Sequence, residues 1–243
     1  MLVIDEGSWD LLGDEGWGGC SNGSMTADGK PCGCFAGCAA QMTQQLSTMG
    51  IELMLSPYMQ FVVQKSKNFV PGANSSAFAV GTVGAKDAGL PATIAYSGYN
   101  QAMNQGNADS DRCLNSTGST KDPYCGDSAM WDVFDPSSSR KMMEQVTSVF
   151  YHQAGIKWWW LDCDEPCDYT GRVAAADRVL WNRGTWPDVA VGAAYPMQLN
   201  KAIYQYHTET LGEPHVVALA RSAWAGSQRY GTIVWSGELA AVL

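Results

Sequence analysis

Positive charge is scarce in this sequence: 15 Lys and Arg stand against 24 Asp and Glu, a net charge of −9. With a pI near 4.7, the chain lacks the cationic surface that nucleic acids and anionic membranes select, and neither is expected as a partner. No apolar stretch approaches the roughly 20 residues of a membrane span, so membrane insertion is not expected. The first residues carry neither a basic region nor an apolar core, so they do not read as a signal peptide. Charged residues make up only 16% of the chain while hydrophobic ones reach 46%. That balance excludes general disorder and supplies a sizeable core.

What is present concentrates in three segments. Trp158-Trp159-Trp160-Leu161-Asp162-Cys163-Asp164-Glu165-Pro166 is an apolar run, Ile156 to Leu161 broken only by Lys157, that ends in three carboxylates within four residues. Preceded by Gly155, the run predicts a strand buried on both faces, as in a parallel sheet. Carboxylates at such a tip stand where barrel enzymes place their chemistry, and crowded like charges are costly without a function. An acidic turn after a buried strand is the plainer alternative. The second segment, Val216 to Ala220, runs into Arg221-Ser222-Ala223-Trp224-Ala225-Gly226-Ser227-Gln228-Arg229-Tyr230-Gly231. The third, Ile233-Val234-Trp235, ends in Ser236-Gly237-Glu238. Successive strand tips thus offer a carboxylate, an arginine, and a second carboxylate beside a tryptophan. Two carboxylates across a pocket with aromatic walls are equipment for cleaving a glycosidic bond.

These segments, in this order, resemble glycoside hydrolase family 31, the α-glucosidase and α-xylosidase family. Its nucleophile motif has the form W-x-D-x-x-E-P and its acid/base motif the form W-[ST]-G-D. The resemblance runs from Phe134 to Glu238 and includes Gln41 to Lys67, where Met49-Gly50-Ile51-Glu52-Leu53-Met54-Leu55-Ser56-Pro57 is similar to the family's third strand. Leu2-Val3-Ile4-Asp5 is similar to its second strand, with Asp5 where a sugar-binding aspartate is expected. The resemblance implies Asp162 as nucleophile, Glu238 as acid/base, Arg221 as a ligand of sugar hydroxyls, and Trp160 and Trp235 as walls supported by Trp224. Glu165 would fix the turn, its plainer reading being a solvated carboxylate. Trp158 and Trp159 read as core. No cofactor and no metal are implied; the partner is an oligosaccharide or glycoside substrate. One departure is the glutamate at 238, where the family has aspartate. Its extra methylene moves the carboxyl by roughly 1 Å, a scale that costs ~10²-fold in rate.

Five strands, beginning at Leu2, Ile51, Ile156, Val216 and Ile233, are expected, separated by helical segments. Met42, Leu46 and Met49 share one helical spacing, and Ser137 to His152 predicts a helix ended by Gly155. The fold class is α/β: a partial (β/α)8 TIM barrel, about strands 2 to 6, as a single domain over residues 1–243 with Cys-rich and loop insertions. The stretch Phe69 to Met130 shows no strand signal. The chain reads as an internal piece of a larger enzyme, with little turnover expected of the piece alone. A non-catalytic carbohydrate-binding relative and an inactive fragment are the alternatives to a retaining α-glycosidase.

Eight cysteines fall in three groups: Cys20, Cys32, Cys34 and Cys38; Cys113 and Cys125; Cys163 and Cys167. The first group has zinc-like density, but C-x11-C-x-C-x3-C matches no common zinc module. Sequons at Asn22, Asn74 and Asn115 favour disulfides and the secretory pathway instead. A Cys113–Cys125 bridge is expected to contribute about 2–3 kcal/mol.

Overall fold

The computed structural model describes residues 1–4, 35–57, 59, 61–63, 77–81, 96–97, 128–162, 164 and 179–235. The five expected strands are all there: β1 (Leu2–Ile4), β2 (Leu53–Leu55), β7 (Trp158–Leu161), β10 (Ala218–Ala220) and β11 (Thr232–Val234). They form one sheet in the order β1-β2-β7-β10-β11, every neighbouring pair parallel. The register aligns Leu55 with Trp159, Trp159 with Ala218, and Ala220 with both Leu161 and Val234. Parallel neighbours require crossovers, and helices supply those of the described residues.

Alternation along β7 decides what each face does. Trp159 and Leu161 are buried at 0% and 2% exposure, against the helices. There Trp159 meets the rings of Phe150 at 6.4 Å and His207 at 5.8 Å. Trp158, Trp160 and Asp162 therefore take the opposite face, and all three are partly exposed. The triple tryptophan is thus not plain core throughout. Trp158 points away from the core, its Nε1 donating to Glu52 Oε2 at 3.2 Å with Lys157 Nζ 5.5 Å from its ring centroid. Sequence composition could not assign that face, because all three residues of the run are the same.

α1 (Phe35–Thr48) ends where Gly50 adopts φ +71°, matching the expected helix before the second strand of the sheet. α2 (Pro136–Val149) starts with Asp135 as its N-cap, which accepts from Ser137 N at 3.0 Å, and with Pro136 in the first turn. Its stripe Met142, Met143, Val146 and Phe150 is buried. The helix ends before Gly155, which at φ +70° instead closes the turn that starts β7. A helix not foreseen, α4 (Tyr195–Gln205), buries Tyr195, Leu199 and Ile203 and continues as a π-turn over Tyr206–Leu211. It stops at Gly212, φ +71°, whose N–H returns to His207 O. A short helix α3 (Asp188–Val191) precedes it.

Six further small strands are present among the described residues, and three of them fall within Phe69 to Met130, where none was expected. β3 (Phe61–Val63), β5 (Tyr96–Ser97) and β6 (Ser128–Met130) form one antiparallel sheet, and β4 (Val80–Gly81), β8 (Val179–Trp181) and β9 (Trp186–Pro187) another. Strands of two or three residues are too short to show a period-2 pattern. The β8–β9 turn is held from afar. Asn182 and Arg183 have φ of 48° and 57°, and both of their N–H groups donate to the Asp132 carboxylate, at 3.1 and 2.9 Å. Phe134 N donates to the same group at 3.2 Å, and Asp132 is fully buried. Burial raises its pKa, against the three backbone donors, which pull it down. Next to it, burial pushes Asp135 up, but Arg183 at 2.7 Å and Ser137 more than reverse this, leaving its pKa lowered.

His207 is wholly buried behind β7, and its Nε2 accepts from Trp159 Nε1 at 2.9 Å. Its proton therefore sits on Nδ1, which finds no hydrogen-bond partner among the described residues. Burial lowers its pKa to about 4, against the nearby Glu213 charge and aided by Lys157. Glu213 itself is held by Tyr151 Oη at 2.7 Å and Lys157 at 3.5 Å. The unfolded chain takes up this proton near pH 6.5 while the folded one resists to about 4. Stability is therefore full above pH 6.5 and is lost as pH falls toward 4, by about 3 kcal/mol at most. Denaturant titrations at pH 7, 5.5 and 4.5 should show this slope in the wild type and a flatter one in His207→Gln, which keeps an acceptor for Trp159. Equal slopes would remove His207 as the cause.

Candidate active site

The C-terminal tips of β7 and β10 bring two of the sequence-derived candidates together. Arg221 N donates to Leu161 O at 3.0 Å, extending the β7–β10 ladder one step beyond the strands. The two residues that follow in register, Asp162 and Arg221, then share a face, and Arg221 Nη1 lies 2.9 Å from Asp162 Oδ1. Their side chains keep 20% and 24% exposure, so the pair is screened yet open to a ligand. An arginine is suited to this position because its planar guanidinium presents a fixed fork of donors that matches a carboxylate.

Two residues down β7 from Asp162, Trp160 meets Trp235 from the tip of β11, with ring centroids 5.6 Å apart at 64°. Trp235 N donates weakly to Ala220 O at 3.4 Å, so this tip also follows the ladder. An edge-to-face pair of this kind is rigid and favourable. Trp160 Nε1 is buried without a hydrogen-bond partner among the described residues. Trp160, Asp162, Arg221 and Trp235 thus form one patch at three adjacent strand tips. Trp224 lies in the turn after Arg221, 50% exposed, its backbone tied to Ser227 by hydrogen bonds of 3.0 Å in both directions. Gly231, at φ +68°, lets the chain re-enter the sheet, since a Cβ there would collide with Val216 O.

Asp5, Glu165 and Glu238 lie outside the described residues. So do Asn22, Asn74 and Asn115, seven of the eight cysteines and the side chain of Cys38. One site feature was not anticipated: Asp164, fully buried, accepts Ser222 N at 2.9 Å. Among the described residues no group of three metal-ligating side chains forms, and no helix is long and apolar enough to cross a membrane.

A parallel sheet with crossover helices, carrying an acid–arginine pair and paired tryptophans at its C-terminal tips, places these groups at the end of the sheet where barrel enzymes carry their chemistry. The profile of the glycosyl hydrolases family 31 TIM-barrel domain matches residues 17–242. The chain belongs to glycosyl hydrolase family 31, and what it contributes is the TIM-barrel domain. It is 34% identical over 116 residues to an uncharacterized family 31 glucosidase of Pseudescherichia vulneris, covering 48% of this chain and 21% of that protein. It is 33% identical over 115 residues to an alpha-xylosidase of Saccharolobus solfataricus, covering 44% and 15%. Among solved structures, a GH31 alpha-xylosidase from a soil metagenome, complexed with xylose, superposes with a TM-score of 0.66 at 25% identity. That match covers 97% of this chain and 27% of the other. A GH31 dextranase of Flavobacterium johnsoniae shares the fold with a TM-score of 0.65 at 16% identity, over 97% and 23%. The chain therefore spans about a quarter or less of each of these relatives.

Proposed function

We propose that the protein is a retaining α-glycosidase acting on α-glucosidic or α-xylosidic bonds of oligosaccharides. The observation that carries this reading is the Asp162–Arg221 pair at 2.9 Å beside the Trp160–Trp235 wall. In this mechanism an Asp162 carboxylate oxygen attacks the anomeric carbon as its bond to the leaving oxygen breaks. Glu238 gives its proton to that oxygen, so the aglycone departs as an alcohol. Glu238 then removes a proton from water, which attacks the same carbon and releases Asp162. Two inversions give net retention, with carboxyls about 5–5.5 Å apart. Arg221 holds Asp162 in line and contacts sugar hydroxyls, while Trp160 and Trp235 flank the ring and exclude water. Asp5 and Trp224 join as further sugar contacts, and Glu165 fixes the turn. The alpha-xylosidase similarities support a xyloside as readily as a glucoside.

A second reading, a sugar-binding relative without turnover, is favoured by one observation: Glu238 replaces the family's aspartate. Proton NMR of the intact protein with aryl α-xyloside and aryl α-glucoside separates the two. The α-anomer should form first and mutarotate later. First-formed β-anomer would overturn retention, and saturable binding without product would favour the second reading. The sequons and cysteine groups support passage through the secretory pathway.

A further inference from the structure

We propose that Asp164 is a positioning residue for Arg221, acting through the backbone of Ser222; the idea rests on the reading of Asp162 as nucleophile given above.

The tip of β10 is pinned to the tip of β7 at three successive points. Arg221 N donates to Leu161 O at 3.0 Å, the Arg221 guanidinium meets Asp162 at 2.9 Å, and Ser222 N donates to Asp164 Oδ1 at 2.9 Å. The first is the last rung of the sheet. The third lies beyond it, past the Trp235 N–Ala220 O bond that ends the pairing with β11, where the β10 tip has left both of its strand partners. Asp164 is fully buried. A buried carboxylate is costly unless hydrogen bonds hold it, and charge-assisted bonds to backbone N–H are the strong kind. Its charge also reaches the buried Tyr195 of α4: burial first, then Asp132 and Asp164, drive the Tyr195 hydroxyl well above its usual pKa. Asp164 is thus buried while its Oδ1 accepts an amide of the loop that carries Arg221.

That geometry matters because Arg221 is long. Several rotatable bonds separate its guanidinium from the backbone, so the direction of the Arg221–Ser222 peptide sets where the fork can land. A misplacement of about 1 Å near the reacting atoms costs ~10²-fold. Asp164 itself does not touch the sugar in this scheme. Its burial places it behind the loop, which is why a second aspartate two residues after the nucleophile does not compete for that role.

The test compares Asp164→Asn, Asp164→Ser and Asp164→Ala in the intact protein by two readouts. Asparagine keeps an acceptor at the same reach. Serine fits the space but falls short of Ser222, and alanine removes the acceptor altogether. The first readout is hydrogen exchange of the peptide containing Ser222, with the peptide containing Trp159 as internal reference. The second is the rate at which a 5-fluoroglycosyl fluoride esterifies Asp162. Serine and alanine should raise exchange at the Ser222 peptide at least tenfold, leave the Trp159 peptide unchanged, and slow labelling about 10²-fold. Asparagine should restore both to within a few-fold. Should the alanine variant not fold, the serine and asparagine pair carries the comparison. Unchanged exchange at Ser222 in the serine variant, or unchanged labelling despite faster exchange, overturns the proposal. Absence of Asp162 labelling in the wild type overturns the nucleophile assignment instead, while the exchange data still decide whether Asp164 holds the loop.

Discussion

Asp162→Asn in the intact protein is expected to lower kcat for aryl α-glycosides by at least ~10⁴-fold, a loss of about 5 kcal/mol of transition-state stabilisation. The amide lacks the charge to attack the anomeric carbon, so the covalent route closes. Arg221, now facing an amide at its 2.9 Å contact, loses the partner that orients it. Both effects act on the chemical step, so KM should change far less than kcat. The variant should still fold, because Asp162 keeps 20% exposure and contributes little to the core. Loss of activity together with loss of the folded state would assign Asp162 a structural part instead.

The largest stability effect is expected at Asp132. Its carboxylate receives three backbone N–H groups, from Phe134, Asn182 and Arg183, while fully buried. Two of those donors belong to residues in the left-handed region, which a non-glycine residue occupies only at a cost. The carboxylate sits in the concavity that their N–H groups form, as an anion would. Asp132→Ala leaves three donors unsatisfied and the turn without its anchor, for an expected loss of about 3–5 kcal/mol. The urea midpoint should fall accordingly and the melting temperature by roughly 10 °C. Asp132→Asn should cost less, since its carbonyl still accepts. A shift under about 1 kcal/mol in the alanine variant would show that the turn is held by the β8–β9 pairing alone.

The parallel sheet was legible in the sequence because each strand is an apolar run that stops at a polar tip, and such runs mark buried strands. The pairing of Asp162 with Arg221 followed from the same feature: both are first residues past a run, and parallel strands in register bring their tips level. Trp158 was not legible, because three identical residues give no alternation from which to read a face. The Asp132 contacts were hidden for another reason. Two of the three donors, Asn182 and Arg183, lie about 50 positions away in sequence, and no local pattern announces such a bond. In α4 and the π-turn that continues it, the stripe Tyr195, Leu199, Ile203 and His207 has helical spacing, yet Pro196 beside it carries the signature of a break. A proline in the first turn of a helix is permitted, because its missing N–H would have had no partner there. Asp164 looked like one carboxylate too many in a crowded turn. Only the placement of Ser222 shows what it holds.

The nucleophile assignment can be measured most directly by trapping. Intact protein incubated with a 5-fluoro-α-glycosyl fluoride should gain one glycosyl mass, and peptide mapping should place it on Asp162, with no gain in Asp162→Asn. A label on Asp164 or Glu165 with Asp162 unmodified, or steady turnover of aryl glycosides in Asp162→Asn, would contradict it.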